Sequence, residues 1–188
     1  MDVPLGRTAG NAIEVAESVE VLAGGGPSDV RELTVVLARA MLDAVGLDRI
    51  DPADALDDGR AMDAWKAMIR AQGGDPDAPL PQAKEHHVVH AVRDGVVARL
   101  DAYGVGMAAW RLGAGRARKE DPVQPGAGVR WHVSQGEHVR AGQTLATLYT
   151  DTPELFPAAL ADLATAIVVG DPGDAVEALP LVVDRIGR

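Results

Sequence analysis

The chain has 188 residues and a mass of 19.6 kDa, room for one ordinary domain or two small ones but not for a large multidomain enzyme. Hydrophobic residues make up 47% and aromatic residues only 3%, so the core has to be built from Ala, Val, Leu, Ile and Met, while a net charge of -10 argues against nucleic acid as a partner. Without cysteine there are no disulfides, thiolate nucleophiles or Cys-ligated zinc. The opening Met1-Asp2-Val3-Pro4-Leu5-Gly6 has neither a basic nor an apolar leader pattern, and no apolar run approaches about 18 residues; a cytoplasmic protein without membrane contact is expected.

Residues 1–80 carry 15 acidic and 7 basic side chains, residues 81–188 carry 13 and 11, so the charge falls from -8 to -2 between the two parts. The segment Asp75-Pro76-Asp77-Ala78-Pro79-Leu80-Pro81 can neither continue a helix nor donate regularly to a sheet. A boundary is expected there, with a helical part at 1–74, a linker at 75–81, a β-rich part with a terminal helix at 82–169, and a tail at 170–188. In the first part Asn11 with Glu14 makes a capping box for a helix through Ile13, Ala16, Val19 and Ala23, closed by Gly24-Gly25-Gly26-Pro27. Asp29 with Glu32 repeats the device before an apolar stripe of Val30, Leu33, Leu37, Ala40, Met41 and Ala44. Asp51-Pro52 opens a short helix that Gly59 ends, and Met62, Trp65 and Ile69 line one face of the next.

After the linker the period changes to two. Residues 86–92 alternate up to an Asp94-Gly95 turn, and Val96, Val97 and Leu100 resume an extended pattern, as a hairpin would. A helical piece near 105–112 follows. Strands are expected at 129–133 and 143–149, with turns at Gln135-Gly136 and Ala141-Gly142. Thr152-Pro153 begins a last helix with Phe156, Leu160, Leu163 and Ile167 on one stripe. The fold class read from this pattern is α+β: a helical layer, then a mainly antiparallel, barrel-sandwich-like β unit.

Motifs for chemistry are sparse. There is no Walker loop, no G-x-G-x-x-G, no H-E-x-x-H and no G-x-S-x-G. His86 and His90 share a strand face about 13 Å apart at about 3.3 Å per residue, too far for one metal ion. The loop Gly113-Ala114-Gly115-Arg116-Ala117-Arg118-Lys119-Glu120-Asp121 sets Arg116, Arg118 and Lys119 on flexible backbone. It reads either as a positive-φ turn with its cations paired to Glu120 and Asp121, the favoured account, or as an anion cradle. Glu14, Glu17 and Glu20 recur every three residues and read as a solvated helix face.

Four stretches carry a family resemblance: MDVPLGRTAGNAIEVAESVEVLAGGGPSDV at 1–30, AMDAWKAMIRAQGGD at 61–75, LGAGRARKEDPVQPGAGV at 112–129 and GEHVRAGQTLATLYTD at 136–151. In this order they resemble thymidine and pyrimidine-nucleoside phosphorylases, which are pentosyltransferases, over about residues 1–168. In that family the P-L-G segment lies past the middle of the chain, so the resemblance implies the C-terminal portion only. The K-x-S-G-R-T-type phosphate loop and the base-gripping Arg, Ser and Lys belong upstream, and no catalytic or substrate-binding residue is assigned here. The resemblance implies a partial potassium site at the carbonyls of Leu5 and Thr8 and the carboxylate of Glu17, with Ala in the family example where Thr8 stands. Three oxygens are about half a shell for such an ion, so potassium is not expected to stabilise this chain measurably. It also implies phosphate as co-substrate, a pyrimidine nucleoside as substrate and a homodimer, with residues 82–150 helping to frame the cleft. The alternatives are a noncatalytic remnant or assembly module. The Gly136-x-x-Val139 and Ala141-Gly142-Gln143-x-Leu145 spacing also resembles biotinyl and lipoyl carrier half-barrels, but neither Lys84 nor Lys119 stands in a Met-Lys or Asp-Lys tip.

Overall fold

A computed structural model describes residues 2–177 and 180–186; Met1 of the opening motif and parts of the expected tail lie outside the described residues. The fold is α+β with antiparallel sheets. The chain divides into two compact units, Met1–Val15 with Leu80–Leu179, and Ala16–Pro79 with Pro180–Arg188.

The first unit opens with strand β1 (Thr8–Gly10) and the start of helix α1 (Ala12–Leu22), which runs on into the second unit. It resumes after the proline-rich segment with β2 (Glu85–His90), β3 (Gly95–Leu100), α5 (Ala102–Ala109), a wide turn at Trp110–Ala114, β4 (Gly128–Trp131), β5 (His138–Val139), β6 (Thr144–Thr150), α6 (Phe156–Ala166) and β7 (Ile167–Gly170). Two antiparallel sheets result, ordered β1-β4-β6-β2 and β5-β3-β7. Their core is aliphatic with one large ring: Val97, Leu100, Val105, Leu112, Val129, Val133, Leu148 and Leu163 close around Trp131. This is the dearth of aromatics in the composition made structural, since nearly all the burial comes from small branched side chains.

Several expectations are corrected here. The Asp94-Gly95 turn does not close a hairpin, because β2 pairs with β6 while β3 pairs with β5 and β7. Asp94 instead accepts a hydrogen bond from the Ala141 amide at 2.7 Å, fixing the crossover between sheets. The last helix stops at Ala166, and Ile167 opens a strand whose β-branched Ile-Val-Val run completes the open side of β3, with Leu100 opposite Ile167. The first strand had no periodic signal at three residues; β4 recruits it, with Thr8 opposite Arg130 and Gly10 opposite Gly128. A Cβ on Gly10 would lie 2.5 Å from the Ala127 carbonyl oxygen, so glycine is what admits that approach.

The second unit holds most of α1, then α2 (Ser28–Ala44), α3 (Pro52–Asp57) and α4 (Arg60–Ala71). Asp51 caps α3 as expected, accepting from the Ala53 amide at 3.0 Å with Pro52 in the first turn. The two capping boxes differ from expectation. Glu14 accepts from the Gly10 amide at 2.6 Å, one residue earlier than a capping box requires, and the Asn11 amide side chain donates to Ala114 instead of capping. Pro27 stands at the cap of α2 with no side-chain bond, because that helix begins one residue before Asp29. No residue of α2 is fully buried: Val30, Leu33 and Ala40 of its stripe are half-buried, while Leu37 and Met41 are 53% and 66% exposed.

Candidate functional site

The opening segment is held to the β-rich unit by its backbone. Trp131 donates its amide to the Arg7 carbonyl at 3.0 Å, the Arg7 guanidinium donates to the Val133 carbonyl at 3.1 Å, and the Ala12 amide donates to the Pro125 carbonyl at 3.0 Å. In an antiparallel ladder alternate residues bond to the neighbour. With Arg7 bonded to Trp131 and Thr8 opposite Arg130, Thr8 turns its own carbonyl away from β4. Because β1 ends its sheet, that carbonyl faces an open edge. Thr8 is 5% exposed, and its buried hydroxyl has no hydrogen-bond partner among the described residues. Leu5 is half-buried just before Gly6, whose φ of 76° bends the chain on its way into β1.

The acidic face of α1 differentiates in a way its spacing did not reveal. Glu14 and Glu20 are exposed, whereas Glu17 is buried at 9% exposure. The donors named by the resemblance are thus oxygens throughout, one of them a buried carboxylate, and a buried hydroxyl lacking a partner stands on one of the three residues. Oxygen donors are the type a hard cation takes; Leu5 and Thr8 belong to the first unit and Glu17 to the second.

The basic loop is clamped at both ends. The Gln124 amide donates to the Gly113 carbonyl at 2.8 Å, and Gly113 sits at a φ of 96° that permits the chain to leave the wide turn. The Gln124 side chain donates to Thr152 Oγ1 at 3.0 Å and accepts from the Asp151 amide at 2.6 Å. Buried Thr150 lies within hydrogen-bond reach of both the Leu112 carbonyl, at 2.8 Å, and Gln124 Oε1, at 2.9 Å. Between these anchors Arg116, Arg118 and Lys119 are exposed. The expected pairing of these cations with Glu120 and Asp121 is not formed among the described residues: the Arg118 backbone amide donates to Asp121 at 2.8 Å, and the Arg116 guanidinium donates to the Lys119 carbonyl at 3.1 Å. The nearby Arg111 pairs with Asp162 and lies 5.8 Å from the Trp110 ring centre.

The histidines disperse. His87 packs its ring against Phe156 at 5.6 Å, His90 meets Thr144 at 3.5 Å, and His132 meets Thr147 Oγ1 at 3.0 Å. Partial burial, then the positive charges of Arg130 and Arg7, hold the His132 pKa below its ordinary value. Among the described residues no group of three or more His, Asp or Glu side chains could hold a metal ion, and no helix is long and apolar enough to cross a membrane.

Residues 96–170 match the family model of the pyrimidine nucleoside phosphorylase C-terminal domain. Over 186 residues the chain is 53% identical to a thymidine phosphorylase of Mycobacterium tuberculosis strain H37Rv, covering 99% of this chain and 43% of that protein. It is 37% identical to a pyrimidine-nucleoside phosphorylase of Staphylococcus epidermidis, with 82% of this chain and 38% of the relative covered. Against the human thymidine phosphorylase the identity is 34%, over 91% of this chain and 40% of the relative. The chain thus spans less than half the length of these relatives. Matched along nearly its whole sequence at this identity and carrying their C-terminal domain, the chain belongs to the thymidine and pyrimidine-nucleoside phosphorylase family.

Proposed function

We propose that this chain supplies the C-terminal portion of a cytoplasmic thymidine or pyrimidine-nucleoside phosphorylase acting in pyrimidine salvage. The observation that carries the reading is the 53% identity to a thymidine phosphorylase over 99% of the chain. In the reaction a phosphate oxygen bonds to the anomeric carbon of thymidine or uridine as the N-glycosidic bond breaks. The bonding electrons leave with the base, which takes up a proton, and the products are free pyrimidine and a (deoxy)ribose 1-phosphate. Its oxocarbenium-like transition state needs positioned charge around phosphate and sugar.

This chain's share is support rather than chemistry. The β-rich unit frames one side of the cleft, and Gln124 with Thr150 fixes the path of the basic loop. The oxygens of Leu5, Thr8 and Glu17 would hold potassium, which when bound supplies a fixed positive charge that orders the opening segment. Arg116, Arg118 and Lys119 offer a weak anion surface, since the loop's hydrogen bonds serve its own shape. The family's homodimer is proposed to extend to the assembled enzyme.

The chain by itself is expected not to phosphorolyse thymidine or uridine. Purified chain incubated with thymidine and phosphate, followed by chromatography, should release no thymine, whereas a longer chain bearing the phosphate-loop and base-gripping motifs should release it. Thymine from the 188-residue chain would overturn the supporting role. No activity from the longer chain would favour the second reading, an assembly module, to which the exposed Leu37 and Met41 of α2 lend their weight.

A further inference from the structure

We propose that Thr8 grips the potassium ion with two of its own oxygens, the backbone carbonyl and the side-chain hydroxyl. The inference rests on the potassium reading above and goes beyond it, because the resemblance assigns only the carbonyl and the family example carries Ala at this position. Two independent features of Thr8 lead to it. Its carbonyl leaves β1 on the side opposite β4, at the open edge of the sheet, so the ladder does not consume it. Thr8 as a whole is 5% exposed, and its buried hydroxyl has no hydrogen-bond partner among the described residues, an arrangement that proteins rarely leave uncompensated.

One threonine can satisfy both conditions with one ion. A cation bound to the carbonyl oxygen and to Oγ1 closes a six-membered ring through C, Cα and Cβ, and chelation of this kind adds a ligand without ordering a further segment. The flanking bend at Gly6 leaves the Leu5 carbonyl three residues upstream in the same unit. The hydroxyl adds one oxygen to the Leu5 and Thr8 carbonyls of this unit, which brings weak binding within reach of direct detection with a metal probe although the shell remains incomplete.

The probe is thallium(I), a potassium surrogate whose own NMR signal reports binding, displaced by potassium chloride at constant ionic strength and compared with tetramethylammonium chloride. Melting temperatures are recorded in the same two salts. Thr8→Val keeps the shape and deletes the hydroxyl; Thr8→Ser keeps the hydroxyl; Glu17→Gln tests the ion site itself. The expected result is a bound thallium signal displaced by potassium in the unmodified chain and in Thr8→Ser, about tenfold weaker in Thr8→Val. In tetramethylammonium Thr8→Val should melt no lower than the unmodified chain, since it buries a methyl in place of an unpartnered hydroxyl. Equal affinity in Thr8→Val and the unmodified chain, with loss in Glu17→Gln, would overturn the role of the hydroxyl and leave the potassium site standing. Absence of any potassium-displaceable thallium would overturn both.

Discussion

His132 links local charge to stability. Its ring contacts Thr147, and partial burial together with Arg130 and Arg7 disfavours its protonated form in the folded state. An unfolded chain has no such penalty and titrates near about 6.5. The unfolded state therefore binds more protons as the pH falls through that value, so this contribution to stability is complete above about pH 6.5 and is lost on acidification toward the lower folded pKa. Urea midpoints measured between pH 8 and pH 5 should fall, and His132→Asn should flatten part of that fall. An unchanged slope in the variant would remove His132 from the account. Thr8 makes a complementary point, since its unpartnered hydroxyl is invisible to any motif search and becomes evident only when burial is known.

At the scale of elements, the join between the wide turn, β6 and the basic loop depends on a polar hub inside an apolar unit. Thr150 is fully buried at the end of β6, with its hydroxyl shared between the Leu112 carbonyl and Gln124. Thr150→Val keeps the volume and strands these acceptors, which should cost about 1–3 kcal/mol. Denaturant unfolding checks the magnitude, and amide exchange should show the loss of protection concentrated at Leu112–Gln124. Uniform loss across the unit would mean that the hub does not specifically hold the loop. By contrast the Arg93–Asp171 pair lies between two exposed side chains and should contribute little, in keeping with surface ion pairs generally.

For the molecule as a whole, the second unit buries only part of its apolar surface: Val21 and Leu56 are buried, but other large side chains of its helices are not. Leu37, Met41, Val45 and Met68 are exposed at 53%, 66%, 70% and 48%, a concentration that isolated soluble domains rarely tolerate. Self-association of the purified chain is expected, with a light-scattering mass that rises with concentration. Leu37→Glu with Met41→Glu should lower that mass while leaving the melting temperature of the dilute chain within a few degrees, because neither side chain is buried in the monomer. A concentration-independent monomer with a sharp unfolding transition would count against it.

The sequence by itself determined the helices of the second unit, because glycine stops, the Asp51-Pro52 cap and three-to-four residue apolar spacing are local signals that need no partner. It also determined the α+β class, the position of most strands and, through long stretches such as LGAGRARKEDPVQPGAGV, the family. Tertiary structure decided what depends on a neighbour. β1 exists because β4 offers it a ladder, Ile167–Gly170 is a strand because β3 has an open side, and the Asp94-Gly95 turn crosses between sheets because each flanking strand finds a different partner. Likewise Glu17 and Glu14 share one helix and one spacing, and only packing buries the first while exposing the second. Local periodicity specifies which face of an element is apolar, whereas burial, pairing and ligand geometry are properties of what that face meets.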